Sequence, residues 1–153
     1  MRGAYTDPTH FAHYSKSAKQ YKADGYPGCD KQMIPIIDAL NAHVELAVVF
    51  CCESHPYSRK EYNSSQLYIT AAVAGINGLT HLVNVFEQAS KLIEAELGQS
   101  FMTLELGNLF YDDCTTWRNW TIQAFTGRKT KKIHLSALLQ ASTEQPITHR
   151  IAA

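Results

Sequence analysis

Nowhere does this chain offer the roughly 20 consecutive apolar residues that a membrane-spanning helix needs. It also lacks an excess of charge. Fourteen Lys and Arg stand against fourteen Asp and Glu. That balance removes the electrostatic footprint of a protein that grips long nucleic acid regardless of sequence. A small anionic ligand needs only a local basic pocket and stays open. The first fourteen residues lack the apolar core of a secretory signal. The expected location is therefore the cytoplasm, without a membrane partner. The four cysteines, Cys29, Cys51, Cys52 and Cys114, are then expected as reduced thiols. A disulfide between the neighbours Cys51 and Cys52 would be strained.

Several familiar chemistries are missing as well. No phosphate loop of the Gly-x-x-x-x-Gly-Lys type occurs, and no Gly-x-Gly-x-x-Gly fingerprint. His-Glu-x-x-His and Gly-x-Ser-x-Gly are absent too. Without paired Cys-x-x-Cys knuckles a structural zinc site is not expected, and no cofactor is implied.

What remains is a globular balance. The chain has 153 residues, 45% of them hydrophobic and 18% charged. That is one domain with a core of its own. Asp7 can cap a first helix with Pro8 in the favoured first position. Phe11, Tyr14, Ala18 and Tyr21 then share one face, and Gly25 and Pro27 stop the helix. A second helix is expected over residues 31–43, starting late or kinked because of Pro35. Apolar runs at 44–53 and 66–74 read as a hairpin with a long polar loop between them. Gly75 and Gly78 bracket a turn before a strongly periodic helix at 79–97. Strands at 101–110 and 117–125 follow, then a last helix at 133–141 and a tail past Gln145 that should fray. The expected fold is α+β: two helix-strand-strand units forming an antiparallel or mixed four-stranded sheet with helices packed on it. Residues 1–28 form an N-terminal helix and turn, and 146–153 the tail.

The most unusual segment is Cys51-Cys52-Glu53-Ser54-His55-Pro56-Tyr57, where the first strand runs into the long loop. In a strand, Cys51, Glu53 and His55 share a face and Cys52 takes the other. Glu53 and His55 could share a proton-transfer role. With Cys51 or His81 they could hold a metal, the weakest of the readings. The bland alternative makes the cysteines small core residues and Glu53 and His55 a surface pair. Arg59 and Lys60 in the loop could meet phosphate oxygens, and Tyr57 or Tyr62 could stack on a base. Lys129 and Lys131 belong to the one basic cluster, ahead of a helix N-terminus that favours anions; the bland alternative is a solvated turn. His10 and His13 lie three apart on the first helix. Trp117 and Trp120 should face opposite sides of their strand, one in the core and one exposed or covering a ligand.

The run Asp38-Ala39-Leu40-Asn41-Ala42, followed by Phe50-Cys51-Cys52-Glu53-Ser54-His55-Pro56, resembles small bacterial and phage proteins. In those, a helix ending in Leu-Asn leads to a strand and a Cys-Glu-Gly-His-Pro loop. More distantly it resembles the tRNA wybutosine-synthesising protein 3 family, with its Ser-Cys-x-Gly-Arg loop. Ser54 replaces the glycine and His55 the arginine, so methyl transfer does not carry over. The resemblance implies a fold, a phage-type accessory role, and a nucleotide or RNA ligand near Cys52, Glu53 and His55.

Three functions are weighed on these residues. The first is a binding protein for a small anionic, nucleotide-like ligand, with a homo-oligomer interface as one way to enclose it. Its contacts would be Cys52, Tyr57, Arg59, Lys60, Lys129 and Lys131. The second is an enzyme on a nucleotide or RNA, with His55 as acid or base and Glu53 orienting it. The third is a protein that blocks a protein partner through exposed aromatics.

Overall fold

The computed structural model describes residues 2–52, 66–110, 116–127 and 129–144. A 3-10 turn, Arg2–Ala4, precedes α1 (Pro8–Ala23). After a second 3-10 turn, Lys31–Met33, come α2 (Ile34–Asn41), β1 (Leu46–Cys52) and β2 (Gln66–Val73). Then follow α3 (Ile76–Leu97), β3 (Met102–Phe110), β4 (Thr116–Phe125) and α4 (Thr130–Glu144). The four strands form one sheet in the order β1-β2-β4-β3, and every pairing is antiparallel. The α+β fold expected from the sequence is present, with its two hairpins separated by a helix. No helix among the described residues is long and apolar enough to cross a membrane.

Residue alternation divides the core in two. Leu46, Leu67, Ile69, Val73, Ile122 and Met102 face α2, α3 and α4 and pack with Ile37, Leu82, Ile93 and Leu138. The other side of the sheet carries Ala47 and Ala72, which pack against Tyr14 of α1. So α1 covers β1 and β2 from the face opposite the other three helices.

The local reasons are legible. Asp7 caps α1 by accepting from the backbone N–H of Thr9 at 3.0 Å and of His10 at 3.1 Å. The His10 ring also bonds the same carboxylate, and this hydrogen bond is the main reason the Asp7 carboxyl is held below its ordinary value. Pro35 sits in the first turn of α2, where no intrahelical N–H is needed; the helix starts late and does not kink. Gly98 ends α3 with φ +83°, a conformation only glycine enters freely. The last helix begins earlier than its apolar pattern suggests. Thr130 Oγ1 accepts from Gly127 N–H at 2.7 Å and Lys131 N–H reaches Gly127 O at 3.1 Å. Lys131 and Lys132 therefore lie inside α4 rather than ahead of it.

Gly78 is not a turn residue. It lies in the first turn of α3, where a Cβ would stand 2.7 Å from Glu45 O and 2.8 Å from Glu45 Cβ. The glycine lets the β1 approach settle on the helix.

The two hairpins share a register. Phe50–Thr70, Cys51–Ile69 and Cys52–Tyr68 in the first correspond to Thr103–Gln123, Leu104–Ile122 and Glu105–Thr121 in the second. Between the hairpins, Ile69 pairs with Ile122, its own counterpart. A local twofold axis therefore passes between these two isoleucines. The same offset carries α3 onto α4 and sets His81 on His134, Leu82 on Leu135 and Val85 on Leu138, all buried. His81 packs against His43, ring centroids 5.0 Å apart. His134 spans Thr130 O at 2.8 Å and Ser100 O at 3.3 Å.

Thr6 marks where the chain crosses the sheet. Tyr5 packs with the larger core and α1 with the smaller one. At the crossing, Thr6 N–H donates to Val73 O at 2.9 Å, and Thr6 Oγ1 accepts from Val73 N–H at 3.2 Å while donating to Arg118 O. Beside it, Trp120 Nε1 donates to Ala4 O at 2.7 Å. Trp120 is thus half-buried and tied to the N-terminal segment; the side chain of Trp117 is outside the described residues.

Replacing Gly78 by Ala tests the close approach. In an exposed helix this change stabilises by about 1 kcal/mol. Here it should instead cost on the order of 1–3 kcal/mol, the penalty of overpacking. Urea denaturation measures it, and a gain in stability would show that nothing presses on this position.

Candidate functional site

β1 is an edge strand, and α1 lies along it. Between them opens a cleft of about 480 Å³. Its helix wall is His13, Tyr14, Ser17, Ala18 and Tyr21, and its strand wall is Val48, Val49 and Cys51. Gly28, Cys29 and Asp30 close one end. The turn that delivers them is built from left-handed residues: Gly25 at φ 81°, Tyr26 at φ 56° and Gly28 at φ 74°. This reversal returns the chain after α1 and brings Cys29 back beside the sheet.

The walls are held from behind. Tyr21 donates its hydroxyl to Pro27 O at 2.9 Å and meets Tyr26 edge to face, centroids 5.4 Å apart. Tyr26 donates to Asp38, which Lys22 Nζ approaches at 3.5 Å. Along β1, Asn41 Oδ1 accepts from Val48 N–H at 2.7 Å, so a side chain occupies part of an edge that could otherwise recruit a foreign strand.

The cleft concentrates titratable groups. The thiols of Cys29 and Cys51, the phenol of Tyr21, the Asp30 carboxylate and the His13 imidazole all line it. Burial pushes the Tyr21 phenol above its usual range, and the neighbouring Cys29 thiol, Cys51 and Asp30 push it further the same way. No Lys or Arg is among the described lining residues. A second depression, about 600 Å³, lies over the Thr6 crossing and includes Asp7 and Arg118. There the Arg118 guanidinium already donates to Gly3 O at 2.7 Å.

Of the residues the sequence singles out, Cys52 ends β1, its backbone paired with Tyr68. Lys129 is exposed before α4 and Lys131 half-buried in its first turn, and neither lines the cleft. Glu53, His55, Tyr57, Arg59 and Lys60 lie outside the described residues, as do the long loop and the tail. His81 lies with His43 ahead of β1, at the opposite end of the strand from Cys51. Of the two histidines of α1, His10 is engaged with Asp7 and His13 lines the cleft.

Sequence reasoning misses Tyr21, Cys29, Asp30 and Ser17 as a group. Their signal is the turn-rich run Gly25-Tyr26-Pro27-Gly28, which does more than end a helix.

No family model matches the chain, and no curated protein does. Among solved structures it is similar to the PH1069 protein from Pyrococcus horikoshii, at 8% identity and a TM-score of 0.47. That match covers 89% of this chain and 92% of the other. A likeness at that level carries nothing about activity.

The raised Tyr21 phenol has a measurable consequence. The chain has eight tyrosines, and Tyr21 should ionise after the exposed ones in a spectrophotometric titration; Tyr21→Phe should remove that late step. The folded state keeps this proton after the unfolded chain loses it at about pH 10. The stability due to Tyr21 is therefore complete below that pH and falls as pH rises through the folded value. If Tyr21→Phe leaves the titration curve unchanged in shape, the phenol is not in this environment.

Proposed function

We propose that the chain binds a small nucleotide-like ligand, with the planar base in the cleft between α1 and β1. The observation behind this reading is the cleft's position. It combines the tyrosine rings of α1 with hydrogen-bonding groups, and its floor strand runs through Cys52 into the segment that holds Tyr57, Arg59 and Lys60. Aromatic faces and a few convergent polar groups suit a base. Ser17, Asp30 and His13 supply donors and acceptors for its edge.

The described lining has no cation, so it suits the uncharged end of such a ligand. Phosphate oxygens require charge-assisted donors. Arg59 and Lys60 follow the floor strand in the chain and are assigned that role; Lys129 and Lys131 are the alternative source. The resemblance to the wybutosine-synthesising family agrees in ligand class.

The test is a panel of nucleosides, mononucleotides, cyclic nucleotides and short RNAs, measured by equilibrium dialysis. Bound material is then released by heat and identified by mass spectrometry. Intact nucleotide is the expected result. Ser17 is exposed on the cleft wall, so Ser17→Trp should fill the cleft without unfolding the helix and weaken binding at least ~10-fold, or about 1.4 kcal/mol. A chemically changed ligand would make the chain an enzyme and direct attention to His55 and Glu53. Retention of no member of the panel would end the nucleotide reading.

A further inference from the structure

The sheet has two edges, and the local twofold makes them counterparts: β1 at one, β3 at the other. An edge strand presents unpaired N–H and C=O groups that recruit a further strand unless something blocks them. β1 is blocked three ways. α1 lies along it, its ladder is interrupted between Val48 and Phe50, and Asn41 Oδ1 takes the Val48 N–H at 2.7 Å. β3 differs at each point. It pairs with β4 residue for residue from Met102 to Phe110. It is nine residues long, against a usual five or six. Its sequence holds no Lys, Arg or Pro, the residues that ordinarily guard an edge. Thr103, Glu105, Leu106 and Gly107 are exposed, Leu106 to 40%. Its one charge is turned onto its own sheet, where Glu105 Oε2 accepts from Gln123 Nε2 at 2.9 Å.

We propose that β3 is a dimer interface: it pairs antiparallel with β3 of a second copy of this chain, across a twofold axis at Leu106. The strand's own sequence selects that partner and that axis. In a symmetric antiparallel pair only the residue on the axis lies opposite itself. Leu106 is the midpoint of Met102–Phe110, so an axis there gives every residue of the strand a partner. Any other axis leaves one end unpaired. An axis at Glu105 would also set two carboxylates directly opposite each other, which is destabilising. With the axis at Leu106, Glu105 stands opposite Gly107 of the second copy. Leu104 stands opposite Asn108, Thr103 opposite Leu109 and Met102 opposite Phe110. The strand is thus complementary to itself in charge, with a leucine pair at its centre.

Pairing of this kind closes on itself. The same patch serves both copies, so the β3 edge is consumed in one contact. The two outer edges of the joined sheet are then the β1 strands, each still blocked by its own α1 and Asn41. Association stops at two copies, and each keeps its own cleft at the far end of the sheet.

The experiment is sedimentation velocity on the whole chain, which should show a species of twice the chain mass. Leu106→Lys sets two ammonium groups opposite each other at the axis and should raise the dissociation constant at least ~10-fold. Leu106 is exposed, so the fold should keep its circular dichroism. Glu105→Lys, one residue away, faces Gly107 and should leave the dimer in place. Leu106→Cys reads the register independently of stability. On the axis the two Cα atoms stand about 4.5–5.5 Å apart, within reach of a disulfide, so mild oxidation should link copies beyond the level of the unsubstituted chain. The two copies of Thr103 lie six residues apart along the strands, about 20 Å, so Thr103→Cys should add no cross-link. A chain that sediments as a monomer up to its solubility limit would overturn the proposal. So would a dimer that Leu106→Lys leaves intact, or a cross-link at Thr103→Cys as strong as that at Leu106→Cys.

Discussion

The seam between β2 and β4 is the constraint on which the rest depends. Those two central strands join hairpins that would otherwise be isolated two-stranded ribbons, which are marginal in water. Ile69 and Ile122 meet at its middle, both fully buried. Everything on the helix side is arranged about that point: α3 and α4 pack on each other and present His81 and His134 at corresponding places. Beyond Ala71–Trp120 the ladder ends, and Thr6 occupies the space with bonds to both strands. Its hydroxyl is both donor and acceptor, which is why a threonine can link two carbonyl-and-amide rows that no longer meet.

The correspondence between the hairpins is visible in pairing, not in composition. Its two halves share few identical residues, because a buried strand asks only for apolar volume and alternation. Cys51 corresponds to Leu104, and Leu67 to Trp120. The identical pair His81 and His134, each followed by leucine, is the clearest trace, and the two rings sit in different surroundings. One stacks on another imidazole; the other spans two carbonyl oxygens. The two halves share a backbone arrangement and differ in their side-chain partners.

Much of the fold was readable because its signals are local. Asp7 with Pro8, Gly98 after the long helix, and the alternating runs of the strands each identify an element on their own. Boundaries slipped where a distant contact decided them. Gly78 looks like a turn until Glu45 is known to lie against it, and α4 starts early because Thr130 and Gly127 close a turn that apolar periodicity cannot register. The cleft was the least legible part. Cys29 and Cys51 are separated by a whole helix, and nothing in either neighbourhood points to the other; only the left-handed turn at Gly25, Tyr26 and Gly28 brings them together. Cys51 stands out in the sequence by its place at a strand end, and its cleft neighbours on α1 and the following turn come from upstream in the chain.

The passage of the chain through the sheet at Thr6 has a mechanical meaning. Tension applied to the first residues reaches the β2–β4 seam before it reaches α1. The helix that walls the cleft is thus shielded from that end, because Thr6 is bonded to both central strands. Its other end is held by the turn at Gly25–Gly28, by the Tyr21 bond to Pro27 O and by the contacts of Tyr26 and Lys22 with Asp38. A load that opens the cleft would do so by lifting the far end of α1, like a lever pivoting on Thr6.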